Sequence, residues 1–365
     1  MNLNTIFMDF LVLGLAVLFF WKIKFYKSSY HTEYLSLQSG NMLRGLFALV
    51  VVFHHLAQRT TEGFLFHLFT HVGYLAVAVF FFFSGYGLQK KYITDETYSH
   101  QFLLRRLPSV LIPYIIMNFI YWLANAVNGT FYSLTDVLQT LGNGSPLVAN
   151  SWYIICILFF YVVFYCLMRI CKRHYIWMIA GACLYNLSWI IICHSLSYGT
   201  WWYKSSHLLV VGMIWATWDK KITEIIQKYY IIFTFIAWAA FLFLNYIKSS
   251  QIGLINGIIL MAIAFDFVII INLFSMKFCI GNRILNYLGA VSLEIYMIHG
   301  LFILRLKQYI SNEFMFCTSV LICSIISAHI LHKIFSFLLS KYKATLECVN
   351  IKIASKIIAR ETTEE

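Results

Sequence analysis

The stretch Leu43-Arg-Gly-Leu-Phe-Ala-Leu-Val-Val-Val-Phe-His-His-Leu56 is apolar, yet it contains one arginine and two histidines. Ionisable groups inside a membrane-spanning helix are costly unless they face a polar cavity or a partner. At about 100° and 1.5 Å per residue, Arg44 and His55 lie within about 20° of one helix face and about 16 Å apart, whereas His54 points about 80° away. The stretch therefore predicts a membrane helix that presents Arg44 and His55 to a polar site.

The composition indicates a polytopic membrane protein. The chain has 365 residues, of which 61% are hydrophobic and 12% are charged, and its mean hydropathy is +0.76. A soluble domain of this size cannot bury so much apolar surface. Only three prolines are present, and the apolar runs have about the length that crosses ~30 Å of hydrocarbon, so the predicted fold is an all-α membrane bundle.

The apolar runs predict about eleven spans. They divide the chain into an N-terminal membrane helix with a cytoplasmic linker (residues 1–40), a membrane domain (residues 41–340) and a basic cytoplasmic tail (residues 341–365). The spans are expected to start near residues 6, 43, 71, 109, 151, 175, 205, 229, 253, 285 and 314.

The formal net charge of +12 is better explained by membrane topology than by nucleic-acid binding, because the basic residues fall in short connections between spans. With the N-terminus outside and the C-terminus cytoplasmic, all but five of the 27 Lys and Arg residues lie on the inner side. The five outer ones are Arg59, Lys204, Lys248, Arg305 and Lys307.

The nine cysteines lie singly along the predicted helices, without a C-x-x-C pair or a cluster of histidines and cysteines. This spacing predicts neither a disulfide framework nor a metal site.

The histidines suit proton transfer, since imidazole titrates near neutrality and can act first as a base and then as an acid. Arginine stays charged in proteins, so Arg44 needs a carboxylate, a phosphate or water near the inner surface. An anionic ligand that enters from the cytoplasm would meet this need.

Further polar groups lie within the predicted spans or at their cytoplasmic ends. The run from Val79 to Lys91 contains Ser84. The run from Phe102 to Tyr114 contains Arg105 and Arg106. This arginine pair predicts either a phosphate site at a helix N-terminus or topological anchors. In the segment from Leu288 to Gly300, Tyr296 and His299 share a face with Ser292, and Glu294 is an intramembrane acid. Asp266 is another, predicted to form a helix-helix salt bridge.

Taken in order, these segments resemble the acyltransferase 3 family of integral membrane acyltransferases, which includes polysaccharide O-acetylases. Residues 44–55 match the family's R-x10-H element, residues 79–88 its F-F-x-x-S-G-[FY] element, residues 151–154 its W-[FY]-L helix start and residues 288–299 its L-G-x-x-S-Y-E-I-Y-L-x-H element. The resemblance spans about residues 41–341 and implies a ten-helix core after one N-terminal helix. Ser109 stands where relatives often have a second arginine.

The resemblance implies that an acyl group, most commonly acetyl, moves from cytoplasmic acetyl-CoA or another acyl-CoA to a hydroxyl of a cell-surface glycan or lipid-linked sugar of the cell envelope. In this interpretation His55 is the catalytic base and His54 orients it or faces another helix. Arg44 orients the donor, Arg105 and Arg106 recruit its phosphates, and Glu294 positions a histidine or the acceptor. The substrate-lining residues are predicted to be Ser84, Tyr86, Trp152, Tyr153, Tyr296 and His299.

Two other classes of protein remain open from the sequence. A transporter or flippase would also need buried Arg, His, Asp and Glu along a substrate or proton path. A binding or sensory membrane protein would keep the scaffold without the chemistry. The predicted partners are acyl-CoA, the glycan or lipid-linked sugar acceptor and the lipid bilayer, and no nucleic-acid partner is predicted.

Overall fold

The computed structural model describes residues 3–248, 250 and 253–361, and this part of the chain is almost entirely helical. Two short strands, β1 (Lys24–Phe25) and β2 (Phe278–Cys279), form an antiparallel pair. The helices are α1 (Leu3–Phe20), α2 (Leu37–Ala57), α3 (Phe64–His67), α4 (Gly73–Thr94), α5 (Phe102–Val127), α6 (Leu134–Gly142), α7 (Trp152–Cys171), α8 (Tyr175–Ser195), α9 (Leu208–Thr217), α10 (Asp219–Lys228), α11 (Tyr230–Lys248), α12 (Gly253–Lys277), α13 (Arg283–Ala290), α14 (Ser292–Leu306) and α15 (Glu313–Glu361).

The prediction of an all-α polytopic membrane bundle is confirmed. Within the described residues, seven helices are long and apolar enough to cross a membrane, and there are up to nine such spans if each of two bent pairs is one span. The bends measure 54° before α4, where residues 64–71 precede it, and 75° between α13 and α14. The chain is therefore a multi-pass membrane protein.

The two remaining predicted spans are shorter apolar helices, α1 and α9. The ten residues of α9 extend about 15 Å, which is half of the hydrocarbon thickness. The predicted span near residue 205 corresponds to α9, which begins at Leu208 and ends at Thr217. The tail does not form a separate helix, since α15 continues past Lys341 to Glu361.

Helix α2 occupies the centre of the bundle. It is buried on most of its faces, as expected for a helix that is apolar all round. Its first turn is capped by the Ser36 hydroxyl, which accepts a hydrogen bond from the Ser39 amide at 3.2 Å. The helices α4, α13 and α14 pack against it. Polar side chains on α2 are thus held in a fixed surrounding of apolar helices.

Glycines allow α2 and α13 to approach closely. A Cβ atom on Gly45 would lie 2.0 Å from the Leu285 carbonyl oxygen, and a Cβ on Gly289 would lie 1.9 Å from the Asn41 carbonyl oxygen. Backbone contact of this kind is how helices associate in lipid, where the hydrophobic effect does not drive them together.

The same device joins α4 to α9. A Cβ atom on Gly85 would lie 1.9 Å from the Leu209 carbonyl oxygen, and a Cβ on Gly212 would lie 2.2 Å from the Phe82 carbonyl oxygen. Both obstructing atoms belong to helix backbone and cannot rotate away. This close backbone contact holds the short helix α9 against α4.

We expect Gly85→Ala to destabilise the protein by about 1–3 kcal/mol, because the added methyl group forces α4 and α9 apart. The matched control is Gly87→Ala on the same helix, where a Cβ meets no atom within 4 Å and alanine favours the helix by about 1 kcal/mol. Thermal unfolding of the purified variants in detergent measures the difference. Equal melting temperatures for the two variants would contradict the close contact between α4 and α9.

Candidate active site

The C-terminal half of α2 opens onto a cavity of about 320 Å³, which we name the histidine cavity. His54, His55 and Gln58 line it from α2, together with His71 from the turn before α4. The other lining side chains come from α4, α7, α14 and the segments that precede α7 and α9, and they include Tyr74, Asn150, Trp152, Trp201, Lys204 and Tyr296. A cavity of this volume is large enough to hold a small ligand.

The N-terminal half of α2 opens onto a second cavity of about 580 Å³, the arginine cavity. Its cationic lining residues are Arg44, Lys90, Lys91 and Arg106, and Ser84, Tyr86 and Tyr153 also line it. Although Arg44 and His55 lie on a common helix face, they do not share one cavity. Each belongs to a different cavity along the same helix, since about 16 Å separates them.

Two cations of the arginine cavity lack a carboxylate partner among the described residues. Lys90 pairs with Asp219 at 2.6 Å and Lys91 with Asp95 at 3.2 Å. Arg44 instead donates a hydrogen bond to the Asn41 amide oxygen at 3.0 Å. Arg106 donates to the Tyr98 hydroxyl at 3.2 Å. Both guanidinium groups retain donors for an anion.

The two adjacent arginines of α5 are separated by the structure. Arg106 lines the arginine cavity, whereas Arg105 is exposed and lines a more peripheral cavity of about 410 Å³ together with Arg106 and Lys343. Both remain within the first turns of α5, which begins at Phe102, several residues before Pro108. Only Arg106 is placed beside Arg44.

A chain of hydrogen bonds links the two histidines of α2 through Gln58. His54 Nδ1 donates to the Phe69 carbonyl oxygen at 3.0 Å, so its Nε2 is the acceptor for the Gln58 amide nitrogen at 3.3 Å. The Gln58 Oε1 atom then accepts from His55 Nδ1 at 3.3 Å. In the described part of the chain, His55 Nε2 has no hydrogen-bond partner, and its lone pair is free for an incoming proton.

Gly73 and His299 fix the positions of the two rings. A Cβ atom on Gly73 would lie 2.1 Å from His54 Cδ2, so only glycine leaves room for that ring. The fully buried His299 stacks on His55 with ring centroids 5.3 Å apart and donates from Nδ1 to the Ile295 carbonyl oxygen at 3.0 Å. Contrary to the prediction, His299 lines neither cavity, because it lies behind His55.

Two tyrosines separate the cavities, and we name them the aromatic partition. Tyr153 lines the arginine cavity and Tyr296 lines the histidine cavity, and their ring centroids lie 5.6 Å apart at an interplanar angle of 68°. The Tyr296 hydroxyl donates to the Asn150 carbonyl oxygen, and the Tyr153 hydroxyl lies 3.4 Å from the Ser84 hydroxyl. At the aromatic partition, a side chain that lines one cavity therefore contacts a side chain that lines the other.

Comparison with known proteins identifies the family of the chain. A family model described as an acyltransferase domain matches residues 38–333, which is most of the chain. The chain belongs to the acyltransferase 3 family. No curated protein and no solved structure matches it. The resemblance inferred from the sequence is confirmed, and membership of the family supports a membrane acyltransferase rather than a transporter.

The intramembrane acids of this acyltransferase lie outside both cavities. Glu294 is 5% exposed, and its Oε1 atom is 2.9 Å from His332 Nδ1 on α15, so it faces a histidine other than His54 or His55. Asp266 is buried, and among the described residues it has no basic group within ion-pair distance. The prediction that Asp266 forms a salt bridge is therefore wrong, because no cation of a neighbouring helix among the described residues pairs with it.

The structure adds residues to the site of the acyltransferase that the sequence analysis did not select. Gln58 lies one turn after His55, and that spacing is the signal for it. In the sequence analysis, Lys204 has only a topological role as an outer charge. Trp201 and Asn150 lie in connecting segments, and their approach to α2 depends on tertiary packing. The remaining predicted lining residues contact one cavity each: Trp152 and Tyr296 the histidine cavity, and Ser84, Tyr86 and Tyr153 the arginine cavity.

Proposed function

We propose that this acyltransferase moves an acyl group, most commonly acetyl, from cytoplasmic acyl-CoA to a hydroxyl of a cell-surface glycan or a lipid-linked sugar. One observation carries the proposal. A single helix presents Arg44, without a carboxylate partner, to a cation-lined cavity, and it presents His55, with a free Nε2 atom, to a second cavity. These are the requirements of an anionic donor and of a hydroxyl acceptor.

The arginine cavity suits the phosphate groups of CoA. Arg44 and Arg106 both retain donors, and guanidinium groups bind phosphate oxygens in a bidentate geometry. The predicted topology places Lys90, Lys91 and Arg106 at the cytoplasmic side, where CoA is available. Arg105 would attract the same phosphates from the peripheral cavity.

The histidine cavity suits the proton transfers of acyl exchange. His55 Nε2 accepts the proton of the acceptor hydroxyl while the oxygen attacks the thioester carbonyl carbon. The tetrahedral intermediate then expels the CoA thiolate, which takes the proton back from His55. The products are an ester and free CoA, and His55 returns to its starting state.

The aromatic partition defines how the two substrates meet. The thioester must pass between Tyr153 and Tyr296 to reach His55 from the arginine cavity. Until it does so, the rings keep acceptor and water away from the donor. Such exclusion of water limits hydrolysis of a reactive acyl group.

Purified protein incubated with acetyl-CoA carrying a labelled acetyl group tests the proposal. We expect CoA release together with transfer of label to a sugar acceptor. Saturable binding of acetyl-CoA without CoA release would instead support a binding or sensory protein. Uptake of an intact sugar into vesicles without label transfer would support a transporter.

We expect Gln58→Leu to lower kcat about fivefold without a comparable change in KM. Leucine removes the acceptor that holds the His55 Nδ1 proton, and the net value of such a hydrogen bond is about 1 kcal/mol. Gln58→Glu keeps an acceptor at that position and should retain more activity than the leucine variant. Steady-state kinetics with saturating acetyl-CoA measure the difference.

The exposed Gln139 of α6 supplies a control, because Gln139→Leu makes the same chemical change outside both cavities. A Gln58→Leu protein with the kcat of the wild type would show that Gln58 does not position His55.

A further inference from the structure

Lys204 is the lysine of the histidine cavity. It lies in the loop between the 3-10 turn Thr200–Trp202 and α9, and its ammonium nitrogen is 4.5 Å from the centroid of the Tyr74 ring. Among the described residues, no carboxylate forms an ion pair with it. None of the aspartates and glutamates in the described part of the chain lines the histidine cavity.

A cation in this position is expensive to keep. Removing an ammonium group from water costs free energy unless an opposite charge or hydrogen-bond acceptors replace the water. Burial, with a smaller contribution from the nearby charge of Lys248, accordingly lowers the pKa of Lys204 to about 8. At neutral pH the group is still mainly cationic, so the cavity holds a positive charge that lacks a counter-charge.

The rest of the cavity offers flat aromatic surfaces. Trp152, Trp201 and Tyr296 line it together with the histidines of α2. Apolar surfaces of this kind, combined with a few placed polar groups, are typical of sites that enclose a small organic ligand. The volume of about 320 Å³ fits one sugar unit.

We propose that Lys204 selects acceptor sugars that carry an acidic group, a carboxylate or a phosphate, and holds that group while the acceptor hydroxyl lies at His55. This inference rests on the proposed function and names the acceptor class for the same site. The ammonium group is positioned by the Tyr74 ring, and the ligand supplies the counter-charge that the protein lacks.

The kinetic test compares acceptors that differ only in charge. Glucuronate and galacturonate are offered beside their methyl esters, and glucose 6-phosphate is offered beside glucose, with acetyl-CoA as donor. We expect a ten- to hundredfold higher kcat/KM for the acidic member of at least one pair, as for a hydrogen bond between charged groups. Preference within the first pairs identifies a carboxylate, and preference within the last identifies a phosphate.

In the Lys204→Gln variant, the ratio of kcat/KM for the acidic acceptor to kcat/KM for its neutral analogue should fall close to one. The matched control is Lys307→Gln, because Lys307 also lies over an aromatic ring, at 5.1 Å from the Phe316 centroid, but lines neither cavity. The Lys307 variant should keep the preference of the wild type. A Lys204→Gln protein with an undiminished preference would overturn the inference.

The preference should also fall as the pH rises. The carboxylate stays ionised, whereas Lys204 loses its proton above about pH 8, so its attraction is present below that pH and is lost above it. The other titratable groups that face Lys204 are His54, His55 and His71 of the cavity, Tyr74 and Tyr296 of its walls, and Lys248 of α11. Since the preference is a ratio measured on one protein, a change in His55 activity cancels. The Lys204→Gln variant should show no such loss.

A binding experiment without donor separates the two proposals. Full-length protein at pH 8 is treated with acetic anhydride, and mass spectrometry follows acylation of Lys204, with Lys307 as the internal reference. Saturating acidic sugar should slow acylation of Lys204 about tenfold, whereas the neutral analogue should not. If acetyl-CoA supports no transfer while the acidic sugar still protects Lys204, the proposed function fails and the anion site stands. If transfer occurs but neither protection nor preference depends on charge, the anion site fails and the acyltransferase proposal stands.

Discussion

The His55→Ala variant is expected to lose acyl transfer by about 10²–10⁴-fold in kcat, the usual contribution of a general base. The variant should still fold, because His55 is partly exposed to the histidine cavity and alanine favours a helix. Initial rates of CoA release from acetyl-CoA, at saturating acceptor, measure the loss. Wild-type turnover in this variant would remove His55 from the mechanism.

Two control variants distinguish the base from its neighbours. His54→Ala should lower kcat less than His55→Ala, because both nitrogens of His54 already have partners, the Phe69 carbonyl and Gln58. His174→Ala changes an exposed histidine before α8 that lies away from both cavities and should have no effect. A larger loss in the His54 variant than in the His55 variant would exchange their roles.

The Arg44→Gln variant is expected to raise the KM for acetyl-CoA by about ten- to hundredfold, as for the loss of hydrogen bonds to a charged group. The guanidinium group is the innermost cation of the arginine cavity that has no carboxylate partner among the described residues. Arg44→Lys keeps the charge but loses the bidentate geometry, so its KM should lie between those of the wild type and the glutamine variant.

Arg283→Gln is the matched control for this variant. Arg283 is an exposed arginine at the start of α13, on the same predicted side of the membrane, and it lines neither cavity. Its KM for acetyl-CoA should equal that of the wild type. An Arg44→Gln protein with unchanged KM and reduced kcat would place Arg44 at the reacting centre instead of the donor phosphates.

Much of the fold follows from the sequence, because lipid restricts a spanning segment to helix and the length of an apolar run limits what it can cross. The exceptions are α9, which ends at Thr217 after only ten residues, and the bend between α13 and α14. Both depend on backbone contacts with other helices, such as that of Gly212 with α4. A hydropathy pattern does not contain these contacts.

The site was predictable where its residues share a helix. The spacing of Arg44 and His55 fixes their relation within α2, and Gln58 follows the same periodicity. Their division between two cavities was not predictable, since it depends on Tyr153 and Tyr296 from other helices. The pairing of Glu294 with His332 spans 38 residues of sequence and two helices, and nothing local to either residue indicates it.

The thinness of the aromatic partition has a consequence for the cell. The predicted topology places the two cavities on opposite sides of the bilayer, so the two phenol rings of the aromatic partition form part of the barrier to ions. If the two rings moved apart with no molecule between them, ions would leak through and dissipate the membrane potential. The transferred acyl group must therefore fill the gap between the two rings while it crosses.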